Sequence, residues 1–270
     1  MNNKQNLHMH STYCDGKNTL IESAEWAFSH GFDSIGFSGH SYMYWNGRGM
    51  QPESIESYKS EIKQLKEEFS GRLAIYTGIE FEMFSEVDLT GYDYIIGSTH
   101  YFNINGDLIG FDSTPEWSKK LTDTYFGGDG MAFAKAYYEQ IPMLAERAKI
   151  DILGHFDLCA KHTESVYLFD PDSKEYKNAA IEALEAIAGK IPFFEINTGG
   201  MARGYKSTPY PDAFILKEMK RLGFGAVISS DCHDMTKMDH CFDMASELLR
   251  SCGFKERYIL TDSGFSAVKL

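Results

Sequence analysis

Two rhythms of apolar and polar positions take turns along the chain. Short, β-prone apolar runs stand at "NLHMH" (6–10), "DSIGFSGH" (33–40), "LAIYTGIEFE" (73–82), "YDYIIGSTH" (92–100), "IDILGHFD" (150–157), "PFFEINTGG" (192–200) and "GAVISSDCHD" (225–234). Amphipathic stretches with helical spacing fill most of the gaps, over 18–32, 53–69, 130–148, 175–189, 211–222 and 239–252. The first helix carries its own boundaries. Asn18 or Thr19 serves as N-cap, Leu20, Ala24, Ala27 and Phe28 supply the apolar positions, and Gly31 stops the turn.

This β, α, β, α order predicts a parallel sheet with helical crossovers, and closing the sheet leaves no exposed edge. The expected fold is α/β, a distorted TIM-like (β/α)7 barrel. At 270 residues, with 43% hydrophobic and 14% aromatic content, the chain can fill one large core. No internal repeat, low-complexity tract or linker divides it, so residues 1–270 are expected to form a single domain.

The chemistry-bearing residues fall at special places on this frame. Strand alternation turns His8 and His10 to one face and Leu7 and Met9 to the other, so the two imidazoles can share a ligand. Asp15 follows five positions later. His40, Glu80, His100 and His155 end the second to fifth predicted strands, Glu195 lies in the sixth, and Asp231 and His233 end the seventh with the same i, i+2 spacing. Barrel loops at the carboxyl ends of strands bring such residues around one axis. A mixed imidazole and carboxylate set without a thiolate pattern suits Zn, Mn, Fe or similar divalent ions. His8, His10, Asp15, His40, Glu80, His100, His155, Asp231 and His233 outnumber what one tetrahedral ion takes. A cluster of two or three metals bridged by Glu80 is therefore expected.

Charge and cysteine usage narrow the partners. Twenty-six Lys and Arg against 39 Asp and Glu give a net charge of −13, which argues against a nucleic-acid or anionic-membrane surface. The five cysteines include no CxxC pair, and the polar start "MNNKQN" has no apolar leader. A soluble, cytoplasmic protein acting on a small molecule is expected, with an oligomeric state that the sequence does not reveal.

Taken in combination, "HMHSTYCDG", "GFSGHS", "GIEFE", "GSTH", "GHFD" and "SSDCHD" resemble the motifs of the polymerase and histidinol phosphatase (PHP) family, and within it those of the stand-alone histidinol-phosphate phosphatases. The resemblance runs from His8 to His233. It implies a trinuclear site, with His8, His10, Glu80 and Asp231 on the first metal, Glu80, His100 and His155 on the second, and Asp15, His40 and His233 on the third. Many family members have histidine where Asp15 stands, which leaves the third metal's identity and occupancy open. The implied reaction is hydrolysis of L-histidinol phosphate by attack of a metal-bridging hydroxide, a step of histidine biosynthesis. Asp231 or His233 is expected to protonate the leaving alkoxide.

Substrate contacts are read from the residues themselves. Glycines after the sixth strand allow a tight loop that brings Arg203 to the mouth, where a guanidinium can hold phosphate oxygens bidentately. Lys161, with His162, and Arg48 are further cationic candidates, while Tyr42 and Tyr101 are among the loop aromatics able to pack round an imidazole. Two other readings stay open. One is the same cluster acting on a protein phosphotyrosine, a nucleotide phosphate or a DNA 3′ end. The other is a binding module with a vestigial cluster, although such a module would have lost ligands.

Overall fold

A computed structural model describes residues 3–270; Met1 and Asn2, which open the polar N-terminal segment, lie outside the described residues. Seven parallel strands follow one another round a sheet in chain order: β1 (Gln5–Asn6), β2 (Ser34–Phe37), β3 (Ala74–Glu82), β4 (Tyr94–Ser98), β5 (Ile152–Leu153), β6 (Phe193–Asn197) and β7 (Gly225–Ser229). The expected barrel is present. Its stagger is visible in β3, which pairs with β2 through Ala74–Thr77 and with β4 through Gly78–Glu82. The ring closes beyond the regular strands: His10 N donates to Cys232 O at 2.8 Å and Cys232 N to His8 O at 2.9 Å. Asn6 Nδ2 stitches the same seam, donating to Ser230 Oγ at 2.7 Å and Met238 O at 2.9 Å.

Leu7, Tyr76, Tyr94, Ile96, Ile152 and Val227 fill the barrel interior, with Leu260 packed against them. Room for the Tyr94 ring exists because Gly36 and Gly78 have no side chain; a Cβ at Gly78 would meet Tyr94 Cζ at 2.2 Å. The helices are α1 (Leu20–Ser29), α2 (Ile55–Glu68), α3 (Pro115–Tyr125), α4 (Gly130–Arg147), α5 (Lys174–Ile187), α6 (Gly199–Ala202), α7 (Ala213–Leu222) and α8 (Phe242–Ser251). They cover the outside, apart from α6, a single turn at the carboxyl end of β6. One apolar cluster joins α1 and α2 to β2 and β3, and a second joins α4, α5, α7 and α8 to the later strands. Thr19 caps α1 through a reciprocal pair: its hydroxyl accepts from Glu22 N, and Glu22 Oε2 accepts from Thr19 N at 2.8 Å.

The structure corrects several boundaries. Regular pairing in the first predicted strand covers only Gln5–Asn6, because the chain at His8–His10 has turned to close the ring. The expected tight loop after β6 is a helical turn, α6. Three elements lie outside the sequence expectations: α3, a hairpin at the mouth (Tyr101–Ile104 with Asp107–Gly110), and a C-terminal hairpin (Glu256–Thr261 with Gly264–Lys269) under the opposite end. All five cysteines are free. Among the described residues no helix is long and apolar enough to cross a membrane.

Candidate metal centre

Glu80 sits at the middle of the barrel mouth, carried there by the long strand β3 and almost completely buried. His8 and His10 reach it from the closing seam, His40 from just past β2, His100 from past β4, His155 from past β5, and Asp231 and His233 from past β7. Asp231 holds φ +47, a left-handed backbone that aspartate tolerates better than most residues and that turns its carboxylate inward.

All nine residues expected as ligands converge. Around Glu80 Oε2 and Asp231 Oδ1, His8 Nε2 lies at 3.3 and 3.6 Å and His10 Nε2 at 3.6 and 3.1 Å. Glu80 Oε1 faces His155 Nε2 at 3.1 Å and His100 Nε2 at 3.6 Å. A third group surrounds Asp15, whose Oδ1 lies 3.3 Å from His233 Nε2 and whose Oδ2 lies 3.6 Å from His40 Nε2. His40 also reaches the centre, with Nδ1 2.7 Å from Glu80 Oε2.

The donor set fits divalent metal ions. Ligand atoms about 2.0–2.1 Å from one tetrahedral ion stand about 3.4 Å apart, which is the spacing of these groups. His8 Nε2 and His10 Nε2 are buried without any hydrogen-bond partner, and Glu80 Oε2, although 2.7 Å from His40 Nδ1, receives no donor at hydrogen-bonding geometry, an arrangement that costs stability unless something cationic receives them.

Electrostatics express the same demand. Burial alone would raise the Glu80 carboxyl, yet His40, His8 and His100 outweigh it and hold the group well below the usual range. Burial likewise opposes ionisation of Asp231, but Arg203 and His8 keep it low. On the imidazole side, burial disfavours the charged form of His8, and Glu195, Glu80 and Asp231 still lift it well above 6.5. His100, against the same opposition from burial, is lifted to about 9 by Glu80 and Glu82. His233 is the exception: burial and His10 lower it.

Sequence reasoning missed the carboxylates behind the ligands. Glu82 accepts from His100 Nδ1 and from the His100 amide, at 2.8 and 2.9 Å. Glu195, expected only as a strand residue, meets His8 Nδ1 at 2.8 Å. Such contacts fix the tautomer of a metal-binding imidazole and aim its other nitrogen. The signal for Glu82 was present in "IEFE", since residues two apart on a strand share a face.

A cavity of about 590 Å³ opens onto Asp15, His40, His100, Asp231 and His233. Arg48, Tyr101, Lys161 and Arg203 line it, and so does Asp112, which the sequence did not single out. Tyr42 is not among the lining residues, a departure from expectation; its carbonyl instead accepts from Ser85 Oγ. Arg203 is already engaged, donating through Nη2 to Asp231 Oδ2 at 2.7 Å and through Nη1 to Asp231 O at 2.9 Å.

A parallel barrel with buried imidazoles and carboxylates gathered at the carboxyl ends of its strands defines a metal-binding barrel of the kind that builds active sites at that face. The PHP-domain model matches residues 6–199, and the chain belongs to the PHP family. It is similar to the histidinol-phosphatase of Bacillus subtilis (strain 168), with 27% identity over 265 residues, covering 89% of this chain and 97% of that one. Among solved structures, the histidinol phosphate phosphatase of Lactococcus lactis, determined with zinc, L-histidinol and phosphate, superposes with a TM-score of 0.73 at 22% identity, over 98% of this chain and 99% of that one. The hisK protein of Listeria monocytogenes gives a TM-score of 0.77 at 19% identity, over 89% and 99%.

Proposed function

We propose that the protein is a metal-dependent phosphomonoesterase that hydrolyses L-histidinol phosphate to L-histidinol and phosphate. The observation that carries this reading is the end-to-end likeness to histidinol-phosphatases in a chain whose imidazoles gather round the Glu80 carboxylate. In this reading His8, His10, Glu80 and Asp231 hold one ion, Glu80, His100 and His155 a second, and Asp15, His40 and His233 a third, with Zn, Mn or Fe as the ions the donors suit. Bound there, the ions supply an activated water at neutral pH and neutralise charge on the phosphoryl oxygens.

The chain's own groups do the rest. Arg203, Lys161 and Arg48 place positive charge round the position of the phosphoryl group, and Tyr101 walls the cavity beside them. Arg203 also holds Asp231 in place. The leaving alkoxide would take its proton through the Asp231–His233 pair, whose side chains meet at 3.5 Å on the cavity side; because both are held deprotonated at rest, that proton would come from the water the ions activate.

Phosphate release from a panel of phosphomonoesters tests the assignment. L-Histidinol phosphate gives the highest kcat/KM, turnover requires metal, and elemental analysis finds two to three divalent ions per chain. Absence of metal-dependent hydrolysis, or a clear preference for another ester, overturns it.

A further inference from the structure

Asp112 stands on the cavity wall, in the segment that leads from the mouth hairpin to α3, and the reading above gives it no role. Lys161 Nζ donates to its carbonyl at 2.6 Å and to its Oδ2 at 3.0 Å. The same ammonium lies 4.7 Å from the centroid of the Tyr205 ring. An ammonium has three donors, and the two bonds to Asp112 leave one for the cavity. The carboxylate is half-used as well: Oδ1 takes no hydrogen bond among the described residues, and the side chain remains 27% exposed.

The pair thus offers the cavity one cationic donor and one anionic acceptor, side by side, each compensated by the other when nothing is bound. The other carboxylates lining the cavity are committed. Asp15 faces His10, His40 and His233, and Asp231 faces His8, His10 and Arg203. A phosphate ester of a vicinal amino alcohol carries the matching charges, because only two carbons separate the ester oxygen of L-histidinol phosphate from its ammonium.

We infer that Asp112 determines specificity for the substrate amine: Oδ1 accepts a hydrogen bond from the ammonium while the remaining Lys161 N–H meets a phosphoryl oxygen. The inference rests on the functional reading above and adds which group of the alcohol the cavity selects.

The test compares L-histidinol phosphate with the same ester bearing hydrogen in place of the amine, in the metal-loaded parent and in Asp112→Asn. A charge-assisted hydrogen bond of this kind makes the parent prefer the amine-bearing ester by roughly 10- to 150-fold in kcat/KM. Asp112→Asn brings that ratio close to one, with metal content and circular dichroism matching the parent. A variant that loses equally on both esters, or keeps the parent's ratio, overturns the inference. Should the asparagine variant not fold, Asp112→Glu keeps the Lys161 pair but displaces the acceptor; a reduced ratio supports the inference and an unchanged one overturns it. p-Nitrophenyl phosphate separates the two levels. A parent that hydrolyses it better than L-histidinol phosphate overturns the functional reading and the inference together. A parent that favours L-histidinol phosphate over it, yet is indifferent to the amine, overturns the inference alone.

Discussion

At the amino end of the barrel, Leu260 of the C-terminal hairpin closes the layer of Leu7, Tyr76 and Tyr94, and the Gln5 side chain pairs with it as a strand would. Gln5 Nε2 donates to Leu260 O at 2.9 Å and Gln5 Oε1 accepts from Leu260 N at 2.8 Å. At the carboxyl end the same sheet leaves His8 Nε2, His10 Nε2 and Glu80 Oε2 buried with no hydrogen-bond partner. Apolar packing and satisfied hydrogen bonds finish one end. The other holds like charges close together and polar atoms without partners, each unsatisfied group costing about 1–3 kcal/mol. One scaffold therefore separates the end that stabilises it from the end that does chemistry.

The sharpest way to break the comparison is Glu80→Gln. The substitution keeps the side chain's shape but replaces one oxygen of the carboxylate that faces His8, His10 and His40 on one side and His100 and His155 on the other. Metal stabilisation of transition-state charge is worth several kcal/mol, so kcat/KM on L-histidinol phosphate falls by roughly a thousand-fold or more, while circular dichroism stays that of the parent. Activity within ten-fold of the parent would remove Glu80 from the centre of the site.

Metal removal tests the same asymmetry through stability. Ions that bind only the folded state add about 4 kcal/mol at about a thousand-fold excess over Kd. Chelation is therefore expected to lower Tm by roughly 8 to 16 °C, and re-addition of divalent metal to restore it. A Tm indifferent to chelator in calorimetry would mean that the partnerless atoms at the mouth receive no ion.

At the amino end, Leu260→Ala removes buried side-chain volume far from the metal centre and costs about 2–5 kcal/mol. Denaturant unfolding should show the loss, and kcat at a temperature where the variant is folded should not change. A parallel fall in kcat would show that the two ends are coupled.

These two ends were also unequally legible in the sequence. The mouth could be read because its signals are local: HxH on an alternating strand, Glu80 in "GIEFE", and histidines directly after apolar runs. The amino end was not read. The C-terminal hairpin carries alternating residues around a two-residue turn at Asp262–Ser263, and α3 begins with Thr114 as N-cap and Pro115 after it, yet both lie outside the βα rhythm that organised the rest. Gln5 and Asn6 read only as part of a polar start, although both are buried, because partners such as Leu260 and Ser230 stand more than 220 residues away in the chain. Asp112 had no local signal, since only the fold brings it to Lys161.

Glu195→Gln probes the boundary between the two kinds of finish, since Glu195 lies at the mouth but leaves no atom without a partner. Its Oε2 faces His8 Nδ1 at 2.8 Å and accepts from Ser229 Oγ at 2.5 Å, while Oε1 accepts from His155 N at 2.8 Å and from Asn197 Nδ2 at 2.7 Å. Four donors thus converge on one carboxylate. An amide turned either way sets its NH2 against one pair of them, so either His8 or the His155 backbone loses its anchor. Loss of such a contact costs about 10- to 100-fold in metal affinity or activity, and this variant should show it first as weaker metal binding in a competition titration with a chromophoric chelator. At saturating metal, kcat recovers toward the parent value, because the ligand atoms themselves are unchanged. Unaltered metal affinity would place Glu195 with Gln5, as a group that holds the barrel together and leaves the metals alone.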